Sequence, residues 1–166
     1  IETLSTKINA IVVEIACVPF NSSTKAIAPL DKSLILRLDA GAQQEIGRHI
    51  CINTIEWWLS ENDMQLKRYL QQDAFNPHAA VASLSYYLSN HPFKRIWSKS
   101  PSFDLAILQS LCVDVDEKCP WLYYQERDVR NCTDVFPTPK PTHDPYQDAV
   151  DQIESVQKTV TLLTKA

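Results

Sequence analysis

A chain of 166 residues with 45% hydrophobic side chains suits one domain with a real core, and residues 1–166 read as a single domain. The net charge of −4 excludes the broad basic surface of a sequence-reading DNA-binding protein, although a nucleic-acid end can still sit in a small cleft where bound cations supply positive charge. The two glycines, Gly41 and Gly47, exclude a phosphate-cradling glycine loop, and with it the P-loop and the dinucleotide fingerprint.

The first predicted strand spans residues 10–20, from the β-branched run Ile11-Val12-Val13 followed by Ile15 and Val18. Glu14 lies inside that run and so requires an edge or a partner. Residues 21–29 are polar and read as a turn; Leu34-Ile35-Leu36-Arg37-Leu38 is a second strand, making a hairpin. Asn53-Thr54-Ile55-Glu56 has the capping-box pattern and opens a helix through Trp57, Trp58 and Leu59. Residues 64–71 are expected to be helical, with Pro77 ending that region. Val81, Leu84 and Leu88 recur at helical spacing over residues 79–89.

Arg95-Ile96-Trp97 reads as a short strand. Ser100-Pro101 starts a helix to Cys112, with Leu105, Leu108 and Leu111 inward. The apolar stretch 120–124 reads as a further strand, and Asp128 is placed as the cap of a short helix near residues 129–135. Residues 136–141 contain three prolines and form an irregular loop. The last helix carries Val150, Ile153, Val156, Val160 and Leu163 on one face. Strands first, then strand and helix in alternation, indicate an α/β fold with a mixed sheet.

Cys17, Cys51, Cys112, Cys119 and Cys132 are odd in number and contain no C-x-x-C pair. They point to reduced thiols in a cytoplasm rather than to a disulfide framework or a zinc site. No signal peptide and no apolar run of about 18 residues appears, so a soluble protein without membrane partners is expected.

The stretch Pro141-Thr142-His143-Asp144-Pro145-Tyr146-Gln147-Asp148 carries the most chemistry. Asp144 is a good N-cap, Pro145 suits the first helical position, and Gln147 completes a capping-box pattern. His143 and Asp148 then occupy the two positions that meet in a hydrophobic staple, where an apolar pair is usual. An imidazole and a carboxylate there read either as a general base beside a metal-binding acid or as a surface pair at a helix start. Two other acids sit at element ends: Glu2 before the first loop and Asp104 in a first helical turn. The helix dipole favours such first-turn anions. If the three acids converge, they need cations between them, and hard oxygen ligands suit Mg²⁺ or Mn²⁺. Two such ions can stabilise the attacking and leaving oxygens of a phosphodiester displacement, and a neighbouring His can deprotonate water.

Ile1-Glu2-Thr3-Leu4, then Ser102-Phe103-Asp104, then His143 with Asp148 five residues on, resembles the DEDDh 3′–5′ exonucleases of the ribonuclease H-like superfamily. Asn53-Thr54-Ile55-Glu56-Trp57-Trp58-Leu59 and Gln125-Glu126-Arg127-Asp128-Val129-Arg130 are similar to its small bacterial and phage branch, which includes exoribonuclease-like members. The resemblance spans nearly the whole chain. It implies a ribonuclease H-like mixed central sheet flanked by helices, two divalent ions (Mg²⁺ or Mn²⁺), and hydrolysis at single-stranded DNA or RNA 3′ ends. It implies Glu2, Asp104 and Asp148 as catalytic metal ligands and His143 as the catalytic base, with Thr3, Leu4 and Phe103 near the terminal nucleotide. The family's first motif is Asp-x-Glu, whose Asp would immediately precede Ile1; the expectation is that this Asp and the first strand precede this stretch of the protein, the alternative being a degenerate member of the family.

The competing function is a nucleic-acid-end-binding module of the same fold without turnover; a third is an interaction protein with no nucleotide site. DNA against RNA, and a monomer against a homo-oligomer, stay open at this level. Trp57 and Trp58 are read as one core ring and one rim ring rather than as two base-stacking platforms. Arg127 and Arg130 are read as phosphate contacts or, equally, Arg127 as pairing with Asp128; His49, His78 and His91 are read as surface residues, and Tyr123 and Tyr124 as packing against the sheet.

Overall fold

The computed structural model describes residues 1–70 and 73–165. β1 (Glu2–Thr3), β2 (Val12–Cys17) and β3 (Leu34–Arg37) form an antiparallel sheet in the order β1-β2-β3. β4 (Ile96–Ser98) and β5 (Glu126–Asp128) form a parallel pair. Among the described residues the helices are α1 (Ala40–Glu45), α2 (Ile52–Glu61), α3 (Asp63–Tyr69), α4 (Pro77–Asn90), α5 (Asp104–Asp114), α6 (Arg130–Thr133) and α7 (Pro145–Leu163). The fold is therefore mixed α/β, as the element order indicates, but among the described residues the strands form two separate sheets, one antiparallel and one parallel, instead of the single mixed central sheet expected. None of these helices is long and apolar enough to cross a membrane.

The main core lies between one face of the antiparallel sheet and helices α4 and α5. Val12, Ile15, Leu36 and Leu38 from the sheet side meet Val81, Leu84 and Leu88 of α4 and Leu105, Leu108 and Leu111 of α5. Each such side chain contributes about 1.5–3 kcal/mol by leaving water. A second cluster on the other face joins Leu4, Ile11 and Val13 to Trp58 of α2 and to Leu66 and Tyr69 of α3. A third joins α6 to α7 through Val129, Cys132 and Val156.

The assignment of residues to the two faces turns on an irregularity in the β1–β2 pairing. Glu2 pairs with Glu14, but Thr3 pairs with Val12, so the register slips by one residue within β2. Strict alternation would put Ile15 with Ile11 and Val13. Instead Ile15 joins Val12 in the main core, and Glu14 turns to the α3 side with Val13. An extra residue in one strand re-aims its side chains in this way.

Several expectations are corrected. Asp39, which accepts from the Ala42 N–H, caps the unanticipated helix α1. Helix α2 begins one residue before Asn53, with Cys51 at the N-cap and no side-chain cap bond. Pro77 starts α4 rather than ending the preceding region, because Asn76 caps it and proline suits the first helical position. The expected end of α3 at residue 71 lies outside the described residues. Residues 120–124 are not a strand; Tyr123–Gln125 form a 3-10 turn in which Tyr123 is 82% and Tyr124 59% exposed, so neither packs against the sheet as expected. Arg127 donates to the carbonyls of Tyr124 and Glu126, while Asp128 accepts from the Arg130 N–H; Val129 is the N-cap of α6. His49 is half-buried, with Nδ1 2.8 Å from Ser5 Oγ, so it belongs to the framework. On α7, Ile153 and Val156 are buried as expected, whereas Leu163 at the end is exposed. All five cysteines are free thiols.

Candidate active site

β1 delivers Glu2. Residues directly opposed across an antiparallel pair point to the same side, so Glu2 and Glu14 leave the sheet together. Two neighbouring carboxylates repel, and the structure separates their environments. Glu14, only 2% exposed, lies 2.8 Å from an Arg68 nitrogen and 3.9 Å from Arg37 Nε. Burial pushes its carboxyl above the usual range, with the two guanidinium groups opposing. Arg68 also reaches Asp144, 3.7 Å away, which ties α3 to the cap of α7. Glu2 is left facing His143.

His143 precedes Asp144, whose Oδ1 accepts from the N–H groups of Tyr146 and Gln147 and caps α7 as anticipated. The reciprocal half of the capping box is not made, since Gln147 donates to Asp151 and the Asp144 N–H donates to Thr142 Oγ1. His143 itself has φ of 59°, the left-handed region that a β-carbon disfavours. Its surroundings hold it there. Asp148 Oδ2 accepts from the His143 N–H at 3.1 Å, and Oδ1 accepts from the N–H and the hydroxyl of Thr142, both at 2.8 Å. On the other side of the peptide, the Tyr69 hydroxyl and Gln65 Nε2 donate to the His143 carbonyl.

The imidazole lies edge-on to two indoles, with ring centroids 5.0 Å from Trp57 and 5.4 Å from Trp58. Trp58 is 1% exposed and Trp57 42%, which is the core-and-rim division expected of the pair. The Trp58 indole N–H donates to the Thr3 carbonyl at 3.1 Å, fixing β1 against α2 beside the imidazole.

These supports bring three groups together. His143 Nδ1 is 3.7 Å from Glu2 Oε1, and ligand atoms of Glu2, His143 and Asp148 all lie within 4.8 Å of one another. Contact with Glu2 pushes the imidazole pKa up; partial burial opposes this, and the charges of Glu2 and Asp148 add to it. Two carboxylates and an imidazole in such reach could together hold one metal ion. Asp104, in the first turn of α5, stands outside this group of three. Its Oδ1 is 3.9 Å from the Ile1 nitrogen, which puts it beside the start of β1.

Of the residues expected near a terminal nucleotide, Leu4 is buried in the second core. The Thr3 hydroxyl donates to the Ser5 carbonyl, and half-buried Phe103 packs against the main core. The sequence reasoning missed Tyr69, Gln65 and the Glu14–Arg68–Asp144 chain. Only the charge of Glu14 inside an apolar run pointed toward any of them.

No curated protein and no solved structure matches this chain. The family model described as the 3′-5′ exoribonuclease Rv2179c-like domain matches residues 1–160. With nearly its whole length matched, the chain belongs to this family of 3′-5′ exoribonuclease domains.

Proposed function

We propose that the protein is a DEDDh-type 3′-5′ exonuclease with a ribonuclease H-like fold, of the small bacterial and phage branch. It acts in the cytoplasm on single-stranded RNA 3′ ends. The observation that carries this reading is the approach of Glu2, His143 and Asp148 to within 4.8 Å of one another. The antiparallel order β1-β2-β3 and the parallel pair β4-β5 support the fold assignment. Family membership supports RNA over DNA as the substrate.

Glu2 and Asp148 would hold divalent ions, with Asp104 contributing from the start of α5. When bound, two Mg²⁺ or Mn²⁺ ions supply electrostatic stabilisation to the attacking and leaving oxygens. His143 accepts the proton of the attacking water on Nε2, the ring nitrogen not engaged with Glu2. Trp57 and Trp58 restrict the ring's orientation, and the bonds to its backbone fix its position. The nucleotide end would lie against the exposed edge of this group, with buried Thr3 and Leu4 supporting Glu2 from behind instead of touching the nucleotide.

The test is incubation of single-stranded RNA with Mn²⁺, with the label placed on the 5′ end in one reaction and on the 3′ end in another. The expected result is a descending ladder from the 5′-labelled strand and release of labelled mononucleotide from the 3′-labelled one. RNA binding without shortening would select an end-binding module instead, and shortening from the 5′ end would contradict the proposed polarity.

A further inference from the structure

The loop joining α6 to α7 runs along α7 as a strap. Ser155 Oγ donates to the Phe136 carbonyl at 2.6 Å, and Asp148 accepts from Thr142 and His143 at the other end. Between these anchors lie Pro137, Pro139 and Pro141, each with a fixed φ and no N–H, so the strap is stiff. A narrow cleft opens between strap and helix, lined by Thr138, Pro139 and Pro141 on one side and by Asp148, Asp151 and Gln152 on the other. Lys99, from the turn between β4 and α5, lines it as well. The cleft is therefore shared by Asp148, a member of the Glu2–His143–Asp148 group, and the cation of Lys99.

Lys99 is half-buried, and its Nζ donates to the neutral Thr138 Oγ1 at 3.3 Å. Among the described residues no carboxylate lies within ion-pairing distance of it, although Asp148 and Asp151 line the same cleft. Asp151 Oδ1 accepts instead from Gln147 at 2.9 Å. An ammonium has three donors and no acceptor, so two remain for a ligand. Asp148 and Asp151 are engaged by other donors, so a half-buried ammonium without a direct ion pair suits an anion that brings its own charge.

We propose that Lys99, with the strap as wall, binds a phosphate of the RNA strand 5′ of the reacting one, while the reacting phosphate lies at the Asp148 end. This rests on the exonuclease reading for the identity of the strand. It makes Lys99 a substrate-positioning residue that sets the path of the chain away from the site.

The test compares wild type, Lys99→Met and Lys99→Arg by anisotropy of a short 5′-fluorescein-labelled oligoribonucleotide, with Ca²⁺ present, over a range of salt. Met keeps the apolar stem and removes the charge. Lys99→Met should bind several-fold more weakly for every sequence tried, and its log affinity against log salt should lose about 0.7 in slope, as for one lost single-strand phosphate contact. Lys99→Arg should restore both. Wild-type affinity and slope in Lys99→Met would overturn the assignment, as would weaker binding with an unchanged slope, which signals a structural effect. Absence of RNA binding by wild type would overturn it as well. Wild type that binds RNA but never shortens it would sink the exonuclease reading while leaving the Lys99 contact measured.

Discussion

His143 Nδ1 lies 3.7 Å from Glu2 Oε1, joining the residue before the cap of the last helix to the first strand across most of the sequence. Glu2 favours the imidazolium and raises the pKa of His143. In the metal-free protein the His143 ring should titrate above the ordinary histidine value of about 6.5. Glu2→Gln should move it down. The pair's contribution to stability is full below the ordinary pKa and is lost as pH rises through the raised one. Proton NMR titration in EDTA reads the shift directly; identical titrations of wild type and Glu2→Gln would show that Glu2 does not set it.

His143→Ala tests the base. If His143 takes the proton from water, turnover of single-stranded 3′ ends should fall roughly 10²–10⁴-fold while RNA binding is kept. The left-handed backbone at His143 makes a control necessary, so matched thermal melts accompany the assay. A variant that melts like wild type and turns over at the same rate would remove His143 from the mechanism.

Asp104 and Asp148 should separate in stability even though both are proposed to hold metal. Asp148 accepts three hydrogen bonds from Thr142 and His143. Asp148→Asn turns an amide toward at least one of those donors, and should cost about 1–3 kcal/mol. Asp104→Asn removes a charge with little volume and should melt like wild type. Both should lose Mn²⁺-dependent hydrolysis. Full activity of Asp104→Asn with Mg²⁺ present would exclude it as a ligand.

Trp58→Phe keeps most of the ring volume but deletes the N–H that meets the Thr3 carbonyl in the second core. Leaving that buried carbonyl without its indole partner should cost about 1–3 kcal/mol. Because Thr3 follows Glu2 directly, hydrolysis should fall by more than the melt alone explains. A Trp58→Phe protein with wild-type melting and wild-type rate would show that this bond does not position β1.

Much of the outline is determined by local chemistry. The hairpin of β2 and β3, the helical repeats of α4 and α5, and the Asp144–Pro145 start of α7 follow from residue spacing and capping alone. The meeting of His143 with Asp148 at a helix start is equally local, since the two are five residues apart. The tertiary structure decided the rest. The slipped register in β2 sends Glu14 to Arg68 and Ile15 to the main core, because a strand's side-chain period is felt only once its partner is fixed. Glu2 comes to His143 because Trp58 binds Thr3 while Tyr69 and Gln65 bind the His143 carbonyl, contacts between residues more than fifty positions apart. Such pairings leave no periodic trace, for each depends on the packing of whole elements rather than on neighbours along the chain.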